Sequence, residues 1–244
     1  MTDGIEVLLR HSCAAPAVPL LRSCFEASLG LEYILESEID YVRRSLSWLA
    51  GYAHDRLDMY SRLDPTSRKG SSIQRYLKAD KTMGGTMGFL SSSRAQQAMI
   101  PLQSLLAKPH FQAIEAEYSG FKRRPAWYRL FNGPEGLDGL AKHLNRYGQY
   151  EILYRRWSSV THAADLSRFI ARGEKGKQAV WALRSPQGFR DVAFMSATFI
   201  LHATRLMLKK FRPTEDSSQW YTREVQQPYK LLSEMEIDIK EIEL

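Results

Sequence analysis

Leu20–Leu35 reads LLRSCFEASLGLEYIL, and its pattern decides the fold class. Leu20, Leu21, Cys24, Ala27, Leu31, Ile34 and Leu35 recur at three to four residues, with Ser28 the small polar exception among them. That spacing marks one face of an α-helix, so residues from about 17 to 36 are expected as an amphipathic helix, with Pro16 and Pro19 at its entry. Ser37 and Asp40 have the spacing of a capping box and open a second long helix through Tyr41, Leu46, Leu49, Tyr52, Arg56 and Met59, ending near Asp64 and Pro65. These two helices are expected to pair as an antiparallel hairpin.

Outward from there the pattern stays helical. Helices are expected over 92–108 despite Pro101, and over 109–118, 136–146, 147–164, 189–211 and 219–233. In 189–211 the stripe Val192, Met195, Phe199, His202 and Leu206 faces a core, and His202 reads as a satisfied core histidine. Met83–Gly88 (MGGTMG) and Arg172–Lys177 (RGEKGK) read as loops, and their glycines fit no phosphate-loop pattern. The expectation is an all-α, single-domain multi-helix bundle over residues 1–232 with an acidic tail over 233–244. That tail suits a short strand, a frayed helix or a partner-binding segment.

Composition narrows the class. At 44% hydrophobic and 25% charged residues the chain is ordinary globular protein rather than a disordered one. No uncharged apolar run of about eighteen residues exists, and Asp3, Glu6 and Arg10 interrupt any signal pattern. A cytoplasmic protein with no membrane association is expected. Cys13 and Cys24 are too few for a disulfide framework or a zinc site, and both read as reduced, inert thiols.

The net charge of +7 understates the basic character. The last twelve residues carry Glu234, Glu236, Asp238, Glu241 and Glu243 against Lys240, so the tail is −4 and the remainder +11. Such a field favours a polyanion, of which nucleic acid is the commonest in the cytosol. Basic residues cluster in three places: Arg68, Lys69, Arg75, Lys78 and Lys81; Arg205, Lys209, Lys210 and Arg212; and Lys122, Arg123, Arg124 and Arg129 around Trp127 and Tyr128. The last cluster interleaves cations with aromatics able to stack on unpaired bases, and its six residues are the RNA-binding candidates.

The chemistry concentrates in Tyr150–Asp165, YEILYRRWSSVTHAAD. Arg155 and His162 are seven residues apart, two helical turns along nearly one face, with Ser158 or Ser159 between them. Glu151 can hold Arg155 as an i,i+4 ion pair and Asp165 can orient the His162 ring. Arg22 and Glu26, also four apart, form an ion pair that can position Arg155 or His162 from a facing helix. His54 and Asp58 lack an obvious third ligand, so they read as a helix-surface pair, and no metal or cofactor is expected.

The segments RSCFEASLGLEYIL (Arg22–Leu35), PAWY (Pro125–Tyr128) and YEILYRRWSSVTHA (Tyr150–Ala163) together resemble an uncharacterised bacterial family of all-helical proteins, catalogued as a domain of unknown function. Its hallmarks are an early R-S-x-x-E-A helix and a later Y-x-x-x-Y-x-x-x-S-x-x-x-H segment, and the resemblance spans about residues 5–210. The later segment also resembles the R-x4-6-H motif of the HEPN ribonucleases, with six residues between Arg155 and His162 and five between Arg156 and His162. That likeness implies a homodimer whose paired motifs cleave RNA through its 2′-hydroxyl without a metal, as stress or anti-phage effectors do. His162 would then transfer protons, and Arg155 or Arg156 would stabilise the phosphorane-like charge. HEPN proteins favour a polar residue after the arginine; Arg156 supplies it for Arg155, whereas Trp157 follows Arg156. The alternative is a non-catalytic helical interaction module whose acidic tail meets a protein partner.

Overall fold

Ile5 and Leu9 lie one helical turn apart, and both are buried. The segment carrying them forms a helix in the computed structural model, which describes residues 1–82, 92–161, 170–172, 178–180, 184 and 188–234. In chain order the elements are α1 (Thr2–Arg10), α2 (Ala14–Leu35), α3 (Tyr41–Leu63), α4 (Arg68–Ala79), α5 (Ser92–Leu106), a 3₁₀ turn Pro109–Phe111, α6 (Gln112–Ser119), a 3₁₀ turn Trp127–Arg129, and α7 (Gly136–His143). There follow α8 (Tyr147–Gln149), a wide π turn Tyr150–Tyr154, α9 (Arg155–Thr161), β1 (Ile170–Arg172), β2 (Gln178–Val180), α10 (Phe189–Phe211), α11 (Ser217–Trp220), a second π turn Tyr221–Val225, and α12 (Gln226–Glu234). The fold is all-α. Its one sheet among the described residues is the antiparallel pair β1–β2, with Ile170 opposite Val180, where the sequence pattern gave no strand.

The chain divides into two compact units, residues 1–37 with 137–244 and residues 38–136. In the first, α2 packs on α1, α9 and α10. Its inward face is Ala17, Leu21, Cys24, Phe25, Ser28, Leu29 and Tyr33. The expected stripe is therefore partly wrong: Ala27 is exposed, Leu20 and Leu31 are half-buried, and Phe25, Leu29 and Tyr33 point inward. The larger rings decided the face, because Phe25 meets Tyr154 at 5.8 Å, Trp157 at 6.4 Å and Phe199 at 5.6 Å. The helix also begins earlier than expected and runs through Pro19. A proline near a helix start removes only one backbone donor.

In the second unit, α3 packs on α4, α5, α6 and the Trp127–Arg129 turn. Its inward face is built from small residues, Ser47, Ala50 and Ala53, against a core of Phe111, Ile114, Tyr118 and Leu130. Tyr52, Arg56 and Met59 are exposed, contrary to the expected stripe. Small side chains give the weakest hydrophobic signal in sequence, yet they permit the closest helix approach. The N-cap of α3 is Asp40, which makes no side-chain cap hydrogen bond to that helix and pairs with Arg43 at 2.8 Å, so α3 itself begins at Tyr41, later than the expected start at Ser37. The long helices expected to pair as a hairpin, α2 and α3, fall in different units, and each has packing partners in its own.

Between α3 and α4 the chain turns around buried Asp64, whose Oδ1 accepts from Thr66 N at 2.9 Å and Thr66 Oγ1 at 2.7 Å, while Oδ2 accepts from Gln96 at 3.3 Å. Ser67 caps α4 by accepting from Gly70 N at 2.9 Å. Gly70 is there because nothing else fits: a Cβ on it would lie 1.8 Å from the Asp64 carbonyl oxygen. Gly70→Ala is expected to cost about 3 kcal/mol or more, since backbone must move to admit the methyl group. Urea unfolding reads this directly, and a variant as stable as the parent would rule out so tight a corner.

Met83–Gly88, His162, Asp165 and residues 235–244 of the acidic tail lie outside the described residues.

Candidate functional site

The first unit gathers the residues of both sequence hallmarks. From α2, Arg22 Nη2 donates to the Tyr154 hydroxyl at 2.5 Å and Nη1 donates to Ser158 Oγ at 3.4 Å. The Tyr154 hydroxyl in turn donates to Glu26 Oε1 at 2.8 Å. The Arg22 guanidinium lies 4.5 Å from the centre of the Tyr154 ring, and its buried Nε sits 3.3 Å from Glu26 Oε1 without hydrogen-bond alignment. Burial, and then the bond to Glu26, push the Tyr154 phenol above its ordinary range, so it stays a donor at neutral pH.

Arg22 and Glu26 thus meet Tyr154, and Arg22 also Ser158, where the expectation was Arg155 or His162; His162 lies outside the described residues. The helix explains the difference: position 155 is rotated about 100° from position 154. Tyr154 and Trp157 are buried and Ser158 is half-buried, while Arg155 and Arg156 face outward. Arg155 is 63% exposed and pairs as expected with Glu151, Nε to Oε1 at 3.3 Å. It also lies 5.9 Å from the Tyr150 ring centre. Ser158 is held by Arg22; the Ser159 side chain, His162 and Asp165 are outside what the structure describes.

One feature of this helix was missed in the sequence. Tyr147 stacks on Tyr150 at 6.0 Å and Tyr150 on Tyr154 at 5.2 Å, each ring with a cation over it: Lys142, Arg155 and Arg22 respectively. Hydrogen bonding to Glu151 raises the Tyr147 phenol. The spacing Y-x-x-Y-x-x-x-Y was the available signal. Nearby, Glu32 Oε2 accepts from Arg146 Nε at 3.2 Å and lies 3.0 Å from His202 Nε2, so His202 is a partnered histidine as expected.

The second unit holds a cavity of about 430 Å³, lined in part by Trp48, Tyr52, Asp55, Tyr118, Arg124 and Trp127. Two of the six RNA-binding candidates therefore face it. Arg124 donates to Asp55 at 2.6 Å; Lys122 and Arg123 are exposed and have no ion pair among the described residues. Tyr128 meets the Trp127 ring edge-on at 5.5 Å, and Arg129 is committed to the Gly133 carbonyl at 3.0 Å. Trp48 and Tyr52, which the sequence reading did not single out for binding, stack at 6.2 Å and stand 48% and 45% exposed. His54 and Asp58 do not act together: His54 bonds Glu115 at 2.9 Å and Asp58 pairs with Arg62 and Lys69.

The Tyr118 hydroxyl is buried with no hydrogen-bond partner among the described residues, and burial pushes its pKa up to about 12. An unmet donor of this kind costs about 1–3 kcal/mol. Tyr118→Phe is accordingly expected to raise the thermal midpoint, a gain of about 1–2 kcal/mol. A lowered midpoint in calorimetry would mean that the hydroxyl has a partner in solution.

Among the described residues no group of three or more histidines, cysteines or carboxylates could hold a metal ion, and no helix is long and apolar enough to cross a membrane. Residues 1–178 match the model of a family of unknown function, DUF5677. A stretch of 153 residues is 27% identical to the alanine–tRNA ligase of Thermoplasma acidophilum, covering 58% of this chain and 17% of the ligase. No solved structure matches.

Proposed function

The chain belongs to this family of unknown function, and on that premise we propose that it is a HEPN-like protein that binds single-stranded RNA and cleaves it without a metal. The observation that carries the reading is the pairing, in one unit, of unneutralised Lys122 and Arg123 with the exposed Trp48–Tyr52 stack and Trp127. Cations follow a phosphate backbone and flat rings hold unstacked bases. The partial likeness to a ligase that by its name handles tRNA is consonant with this. For the chemical step, Arg155 is solvent-facing on the helix that leads to His162 in sequence, available to a phosphate rather than locked in a core.

Binding is expected to weaken about ten- to thirtyfold between about 50 and 200 mM salt, as for a site that neutralises about three phosphates of a single strand. Trp127→Ala should weaken it further, by about 1–3 kcal/mol. Fluorescence anisotropy of a labelled oligonucleotide measures both, and salt-independent binding, or none at low salt, would remove nucleic acid from the reading.

A second reading, an interaction module working through a protein partner, is favoured by one observation: Phe211, Trp220, Tyr221 and Leu231 are all exposed toward the C-terminal end. A purified protein that leaves total RNA intact, with or without chelator, would turn the choice to it.

A further inference from the structure

We propose that the cavity beside α3 in the second unit receives one unpaired nucleobase, a deepening that rests on the RNA reading above. The cavity's volume, about 430 Å³, suits a single nucleotide. Its walls offer what a base needs on its faces. Trp48 and Tyr52 are nearly parallel, 18° apart, and form an exposed aromatic shelf on α3; Trp127 contributes a third ring.

The lining also offers what a base needs on its edge. Asp55 and Arg124 line the cavity as a bonded pair, the carboxylate able to accept and the guanidinium to donate. Tyr118 closes the wall: it is 8% exposed, its hydroxyl is sealed from solvent, and a Cβ on Gly51 would lie 3.1 Å from that hydroxyl and 3.1 Å from Trp127 Cβ. Every base presents donors or acceptors on its edge together with a π-face. An aliphatic ligand would meet neither demand.

Charge supplies the third element. Arg124 lines the cavity, held by Asp55, and Lys122 and Arg123 precede it in sequence, exposed and unneutralised among the described residues. A phosphate of the bound nucleotide would find Arg124 as a charge-assisted donor, and a continuing strand would find the Lys122 and Arg123 charges upstream of it. The chemistry is the same for a free nucleotide and for a base splayed from a strand, and sequence preference should be slight because stacking dominates.

Calorimetric titration of the full chain at low salt, with each nucleoside 5′-monophosphate and with a short single-stranded RNA, tests this. Trp48→Ala should weaken binding of both about five- to a hundredfold. Tyr52→Ala should weaken both several-fold, whereas Tyr118→Phe, whose hydroxyl is sealed off, should leave both unchanged. Lys122→Ala with Arg123→Ala should weaken the strand more than the mononucleotide. If Trp48→Ala and Tyr52→Ala bind RNA as tightly as the parent, the base pocket is wrong and the RNA reading stands. If mononucleotides bind in a Trp48-dependent way and RNA does not bind, the pocket is right and the RNA reading falls. If neither binds, both fall. Should Trp48→Ala fail to fold, Tyr52→Ala decides alone, since that residue is 45% exposed.

Discussion

His162→Ala is expected to slow RNA cleavage about 10²- to 10⁴-fold while leaving the protein folded, because an imidazole titrating near neutrality is the natural proton-transfer group. Arg155→Ala should be similarly damaging. Its outward position and its Glu151 partner leave the guanidinium held but accessible. Arg156→Ala should be milder, since position 156 is rotated about 100° from 155 and leaves the face shared by 155 and 162. Products should end in 2′,3′-cyclic phosphate and form in the presence of chelator. Wild-type protein that leaves RNA intact, or His162→Ala cleaving at the wild-type rate, would defeat the chemical part of the proposal. Unfolding of His162→Ala would instead assign the histidine to a structural network.

The largest stability effect should come from Phe25→Ala. Phe25 is 1% exposed and touches the rings of Tyr154, Trp157 and Phe199, so it joins α2 to the π turn, α9 and α10 at one point. Truncation leaves a cavity walled by three large rings that cannot collapse together, and is expected to cost about 3–5 kcal/mol. That is a large share of the roughly 5–15 kcal/mol that holds a domain folded. Equilibrium denaturation measures it, and a loss below about 1.5 kcal/mol would mean that the site repacks like a conservative core swap.

How much of this could be read from the residues alone depended on the kind of signal. The long helices were legible because three-to-four periodicity persists over twenty residues or more, and 189–211 is matched residue for residue by α10. Helix α4 was not legible, because RKGSSIQRYLKA is mostly polar and its one buried residue is Gly70, which carries no hydrophobic signal at all. The inward face of α3 was misread for the same reason: Ser47, Ala50 and Ala53 are small, while Tyr52 and Met59 are large and exposed. At the site, the i,i+4 pairs Arg22–Glu26 and Glu151–Arg155 followed from spacing and are present. What spacing could not supply was the partner across the helix gap. Tyr154 and Ser158 receive Arg22 because a tertiary contact, invisible in sequence, turns α9 that way. The Trp48–Tyr52 shelf was missed because two aromatics four apart on a helix look like core, and only solvent exposure shows otherwise.

The wide turn at Tyr150–Tyr154 carries roughly one residue more than an α-helical turn of the same rise. Upstream of it Arg146 is tied to Glu32, and at its last residue Tyr154 is tied to Arg22 and Glu26, all three partners lying on α2. Deleting a single residue from the turn would let it relax to ordinary helix of the same rise, so both ties could be kept. A second deletion would find no surplus to absorb it and would swing one end about 100° and about 1.5 Å against the other, breaking one of them. The turn thus holds one residue of slack: between Arg146 and Tyr154 the first deletion should be tolerated and the second should not.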